Sequence, residues 1–298
     1  MRRLVVALAL VLSLPAAGMT WGFDAHKFIA DRMIDLLPPE LKPLFASRRA
    51  FIVERSIDPD LWRTVGWQEE PPNHFLDFDH EAFGPYPFNE LPRDYADAVQ
   101  KFGREFIHEQ GLLPWRTSEF WGRLVREFAS LKRPSPPGYA LDNIVLFSAV
   151  LTHYVSDGHV PLHAVVNYNG QLTGQDGVHS RWEGELFERN RSRLKIAPPP
   201  LKLVTVPRDA MFDVLLASNR AAANVLESDR KAAQGRELYD DGYFAAFASG
   251  ALPTLERRLN DSISAVASFI TGAWEAAGRP RIPTEFARTP RPIRRPKQ

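Results

Sequence analysis

Residues 153–183 read H-Y-V-S-D-G-H-V-P-L-H-A-V-V-N-Y-N-G-Q-L-T-G-Q-D-G-V-H-S-R-W-E, and they hold four of the chain's eight histidines: His153, His159, His163 and His179. Asp157 follows His153 by four residues, and Glu183 follows His179 by the same step. Side chains four apart on a helix share one face a turn apart, so each pair offers a ring nitrogen and a carboxylate oxygen to a common point. The run before His153, from Leu141 to Ser156, is apolar enough for a buried central helix that carries the first pair at its end. Pro161 ends or kinks that helix and sets His163 on the segment beyond it. One such pair alone is commonly a hydrogen-bonded core pair. Two pairs with a third histidine between them make a metal site the leading reading. Nitrogen and oxygen donors suit zinc, and two or three protein ligands per ion leave a position for water.

The chain has 298 residues and no cysteine, which excludes disulfides and thiolate zinc sites. Any zinc is then held by His, Asp, Glu or a backbone group. A hydrophobic share of 44% supports one sizeable core. Residues 1–20 read as a secretory signal: Arg2 and Arg3, an apolar run from Leu4 to Leu14, then Ala16, Ala17 and Gly18. The run is too short to span a membrane, so the expected location is secreted or periplasmic, with no transmembrane segment in the mature chain. Cleavage after Thr20 and after Gly18 are both open. Residues 278–298 form a basic tail rich in proline and arginine, expected to be disordered, with an anionic surface as a candidate partner. The remaining body is net acidic and carries no electrostatic footprint for nucleic acid.

Along the body, Asp24 reads as an N-cap for a helix to Leu37, with His26 on the inward face beside Ile29, Ala30 and Met33. Residues 45–79 carry Pro59, Gly66, Pro71 and Pro72 and read as loop-rich, with Asp58, Asp60 and His74 as candidate donors. Tyr95–Glu109 and Ser118–Lys132 read as amphipathic helices, and R-P-S-P-P-G at 133–138 as a linker. Two long helices are expected over Asp209–Leu226 and Pro253–Ala276. No strand-rich region and no fixed repeat is visible. The fold class expected is all-α, a single-domain multi-helix bundle over 21–277.

Taken in order, four motifs resemble the zinc-dependent phospholipase C and single-strand-specific zinc nuclease superfamily. They are W-G-x-x-x-H at Trp21–His26, Asp60 fourteen residues before His74, H-x-x-x-D-x-x-x-x-x-H from His153 to His163, and H-x-x-x-E at His179–Glu183. The resemblance implies three zinc ions: one on Asp60, His74, His153 and Asp157, a second on His163, His179 and Glu183, and a third on His26, Asp157 and the terminal groups of Trp21. It also implies hydrolysis of phosphodiesters by a metal-activated water, with Asp60 orienting or deprotonating that water. Asp58 is the alternative to Asp60, and His159 falls outside the pattern as a supporting or exposed residue. The terminal glutamate and H-S-R-W-E look more like the phospholipases, and the opening W-G-x-x-x-H more like the nucleases. His74-Phe75-Leu76-Asp77 resembles a base-stacking nuclease segment, although a similar segment occurs in the phospholipases. The expectation leans to phospholipase C-like chemistry, with phospholipid or single-stranded nucleic acid as substrate. The alternatives are a single-strand-specific endonuclease and 3′-nucleotidase, and a non-catalytic zinc-binding helical protein.

Overall fold

A computed structural model describes residues 22–283. The expected signal segment, Trp21 and the tail from residue 284 lie outside the described residues. Among those described there is no strand, and the architecture is all-α. No described helix is long and apolar enough to cross a membrane.

The chain is built around α8 (Ala140–Asp157), which is buried on nearly every face along its second half, from Ser148 to Asp157. A helix apolar all round belongs in the interior, and α8 is packed by α7 (Leu113–Ser130), α1 (Phe23–Met33), α3 (Arg49–Arg55) and α12 (Asp241–Ala276). α12 in turn pairs with α11 (Pro207–Ala233), and both also pack on α7. One contiguous apolar core joins these elements.

The end of α8 is fixed by its own sequence and by a buried cation. Val160 is extended, as a residue before proline must be, and Pro161 opens a 3₁₀ turn, Pro161–Ala164, that brings His163 back towards the helix. The carbonyl of Gly158 accepts from Ser218 Oγ at 2.6 Å, and that of His159 accepts from Arg258 Nε at 3.0 Å. Arg258 also donates to Ser218 Oγ at 2.6 Å. Burial pushes its guanidinium down to about 10, still cationic at neutral pH, so a positive charge from α12 meets the negative end of α8.

Several elements differ from the sequence expectation, each for a local reason. The first helix is capped at Gly22, and Asp24 lies inside its first turn. A 3₁₀ turn, Ile34–Leu36, comes next, and Leu37, extended before Pro38, closes it. Residues 42–74 are more helical than a loop. They form α2 (Lys42–Ser47), α3, α4 (Asp58–Thr64) and the 3₁₀ turn Pro71–His74. Pro43, Pro59 and Pro71 sit in first turns, where a missing N–H costs nothing. The expected helix 95–109 is two, α5 (Tyr95–Phe102) and α6 (Arg104–Gln110), split at Gly103 with φ +87°. α11 begins at Pro207 and runs past Leu226 to Ala233. α12 begins at Asp241, so Pro253 is internal rather than a start. A helical proline costs about 3 kcal/mol. Tyr243, Phe244, Phe247 and Ala251 are buried upstream of it, and at roughly 1.5–3 kcal/mol for each large side chain they outweigh that cost. The helix expected to run on from His179 has a different form: α9 (Val178–Ser180), a π segment (Arg181–Leu186), then α10 (Phe187–Asn190).

The segment carrying His74 is strapped to the turn before α7. Leu112 N donates to Pro72 O at 2.6 Å, Leu113 N to Phe75 O at 3.3 Å and Asp77 N to Gln110 O at 2.8 Å. Gly111 lies inside this strap with φ +107°, and a Cβ on it would stand 2.1 Å from Phe75 O. Gly111→Ala is therefore expected to destabilise the protein by at least about 1–3 kcal/mol. Thermal melting of the two proteins side by side checks this, and an unchanged midpoint would show that the strap yields.

Candidate metal centre

Six short pieces of backbone bring the donor residues together. His26 comes from α1, Asp60 from the first turn of α4, and His74 from the 3₁₀ turn opened by Pro71. His153 and Asp157 come from the last turn of α8, His163 from the turn opened by Pro161, and His179 and Glu183 from α9 and the π segment. The two proline-opened turns are tied directly, Leu76 N donating to His163 O at 2.9 Å.

At the centre is Asp157, fully buried. Its Oδ2 lies 2.9 Å from His74 Nδ1 and 3.2 Å from His153 Nε2, and its Oδ1 lies 3.3 Å from His26 Nε2 and 3.7 Å from His163 Nδ1. Asp60 Oδ1 is 3.8 Å from both His74 Nδ1 and His153 Nε2. On the other side, His163 Nε2 and His179 Nε2 are 3.0 Å apart, and Glu183 Oε2 is 3.0 Å from His179 and 3.9 Å from His163. Three donor groups result: His26, Asp60 and His153; His74, His153 and Asp157; His163, His179 and Glu183. Every sequence-predicted donor from His26 to Glu183 is in one of them, and Trp21 lies outside the described residues. Asp58 is in none; its carboxylate faces Arg55 at 3.5 Å. His159 is buried and donates from Nδ1 to Val155 O at 2.7 Å, supporting the helix end and contributing no donor.

The donor chemistry fits a metal ion. Donor atoms around a tetrahedral zinc stand about 3.3 Å apart, given bonds near 2 Å; the His74, His153 and Asp157 donors lie 2.9–3.2 Å apart and the His163, His179 and Glu183 donors 3.0–3.9 Å apart, close to that value. Asp157 Oδ1 is buried and accepts no hydrogen bond, an arrangement that is costly unless a cation compensates it. His153 Nδ1 donates to the carbonyl of Ser56 at 2.8 Å, which fixes the tautomer and turns the bare Nε2 inward, as a ligating histidine requires. The cluster opens on a cavity of about 570 Å³, with His74, His163 and His179 on its wall beside Arg63, Phe75, Asp77 and Tyr168.

Protonation divides the groups. Burial depresses His163 well below the ordinary histidine range, and it brings His179 down to about 4. Burial also works against the charged form of His74, but the carboxylates of Asp157 and Glu70 outweigh it and raise the ring to about 9. For Asp157, burial alone would raise the carboxyl, and the surrounding histidines hold it well below the carboxylate range instead. In the metal-free protein a proton on His74 thus sits where an ion would sit.

Sequence reasoning missed four contributors. Glu70 is buried against His74, and Arg63 reaches Asp60 Oδ1 at 3.5 Å. Arg258 clamps α8. Asp229 accepts from Arg181 at 2.9 Å and from Tyr243, holding the start of the π segment. Of these only Glu70 had a signal, standing four residues before His74 as Asp157 and Glu183 stand four from His153 and His179.

The chain matches no protein-family model and no curated protein.

The split in protonation predicts how metal loading depends on pH. An ion entering the His74 group displaces a proton bound up to about pH 9, so affinity there rises with pH across neutrality. At the His163 and His179 group both rings are already neutral over pH 6–8, so no ring proton opposes an ion there. Zinc calorimetry at pH 7.5 in buffers of different ionisation enthalpy should resolve about one released proton for the first group and none from the second. Equal release from both would overturn the assignment of His74.

Proposed function

We propose that this protein is a metal-dependent hydrolase of phosphodiesters, with zinc as the metal and three ions as the expected complement. The observation that carries the reading is the convergence of three buried His/carboxylate groups beside one open cavity. Groups with nitrogen and oxygen donors and no sulfur suit zinc. Bound there, the ions supply an acidified water and positive charge against phosphate oxygens.

The chain's own residues account for the rest. Asp60, at the edge of two donor groups, is placed to orient the attacking water and take its proton. Arg63 brings a guanidinium to the cavity wall for a phosphate oxygen. Phe75 and Tyr168 offer ring faces in the same cavity. Asp77 is raised to about 7 by burial and by Asp79, so near neutrality its carboxyl both donates and accepts. Flat aromatic faces beside a carboxyl suit a nucleobase, which supports single-stranded nucleic acid as the substrate. The phospholipase C-like reading keeps an observation of its own. Leu61, Val65 and Trp67 are exposed, and they flank in the chain the Arg63 and Thr64 that line the cavity, apolar surface suited to a lipid.

Zinc-loaded protein is tested on single-stranded DNA and on mixed phospholipid vesicles, with and without chelator. Release of nucleotides that chelator abolishes is the expected result. Release of diacylglycerol alone would move the substrate to lipid, and turnover of neither with zinc bound would leave a binding protein. His153→Ala is expected to lose metal and activity together. Phe75→Ala should raise KM for an oligonucleotide about tenfold or more, the scale of one lost base stack, with little change in metal content; an unchanged KM would remove Phe75 from substrate binding.

A further inference from the structure

We propose that Glu70 is a positioning residue of this centre, orienting the His74 ring so that Nδ1 is the nitrogen offered to a metal ion. The inference rests on the metal reading above. His74 Nδ1 faces the donors, 2.9 Å from Asp157 Oδ2 and 3.1 Å from His153 Nε2. The opposite nitrogen, Nε2, is buried, makes no hydrogen bond and has Glu70 Oε1 3.6 Å away. A neutral imidazole carries one proton, and the nitrogen that keeps it cannot bind metal. A carboxylate facing Nε2 draws the proton to that side and leaves Nδ1 bare. This is the role Ser56 O performs for His153 with the two nitrogens exchanged.

Glu70 is itself held. The Tyr154 hydroxyl donates to Oε1, Asn73 Nδ2 donates to Oε2 at 3.2 Å, and Arg116 reaches Oε2 at 3.5 Å. Arg116 Nε also donates to the Tyr154 hydroxyl at 3.2 Å. Glu70 is 1% exposed, and a carboxylate buried this deeply needs such compensation. Tyr154 is the neighbour of His153 on α8, so the element that carries the central donors also anchors the group that orients His74. Asn73 lies beside His74 on the 3₁₀ turn, which fixes the carboxylate relative to the ring from the other side.

The test compares the purified parent with Glu70→Gln and Glu70→Ala. Zinc affinity is measured by competition with a chromophoric chelator, and ring nitrogens are read by ¹⁵N-histidine NMR, with His74 assigned from a His74→Gln sample. Glu70→Ala is expected to weaken zinc at the His74 group by roughly 10–100-fold, the usual effect of removing a ligand's outer partner. Glu70→Gln should weaken it less, because the amide oxygen still accepts an N–H. Affinity at the His163, His179 and Glu183 group should stay unchanged. The parent should show His74 metallated at Nδ1, and Glu70→Ala a mixture of the two tautomers. Equal affinity at the His74 group in all three proteins would overturn the proposal, as would equal loss at both groups, which marks Glu70 as a support of the fold. If the alanine variant does not fold, the glutamine variant decides by the same comparison. A parent that takes up no zinc defeats the metal reading itself and is recognised before either variant is made.

Discussion

A carboxylate sealed inside a protein is among the costliest groups to accommodate, and Asp157 is sealed completely. Four imidazoles, from His26, His74, His153 and His163, stand within 3.7 Å of its two oxygens. They come from α1, from α8 itself and from two separate proline-opened turns, so the charge of one side chain fixes the relative placement of four pieces of chain. Those pieces can stay so arranged only if the end of α8 does not move. A second buried charge, Arg258, meets that requirement by capping the same helix end through the carbonyl of His159 and through Ser218. The two ions are of opposite sign and meet one helical terminus, and each is costly alone.

The π segment plays the corresponding part for the second donor group. π turns are frequent at functional sites, and this one spans Arg181–Leu186, just after His179. Arg181, at its start, is held by Asp229 and by the carbonyls of Gln175 and Asp176, and it stacks on Tyr239. The wider turn and these ties bring Glu183 Oε2 to 3.0 Å from His179 Nε2.

The parts of the fold legible in the sequence were those governed by period. The apolar run before His153 and the alanine-rich faces of α11 and α12 announce long buried helices, and the four-residue steps announce the paired donors. Proline was legible only in part. Pro161 stops α8 as its position suggests. Pro59 and Pro71, which read as loop markers, open helical turns that deliver Asp60 and His74. The difference lies on the N-terminal side of each proline, since the residue acts as a breaker only when a helix is already running into it. The π segment has no marker in composition or spacing, because an i→i+5 turn uses the same residues as an α turn. Glu70 obeyed the spacing rule that revealed Asp157 and Glu183, and Pro71 and Pro72 concealed it by making the intervening residues look non-helical. Arg258 and Asp229 could not be read at all, since their partners lie far away in the chain.

The donors described all lie between His26 and Glu183, while the clamp on α8 comes from α11 and α12. Sequence proximity therefore misleads about what constitutes the centre. A fragment ending before Pro207 would retain each of those donors, yet it would expose the apolar flank of α7 and leave the carbonyls of Gly158 and His159 without their partners. The C-terminal helices contribute none of the donors in the three groups, yet they hold the helix end on which those donors meet. Transplanting this centre into another scaffold would mean carrying over the helix pair behind it, and grafting the histidines alone would transfer a composition without its architecture.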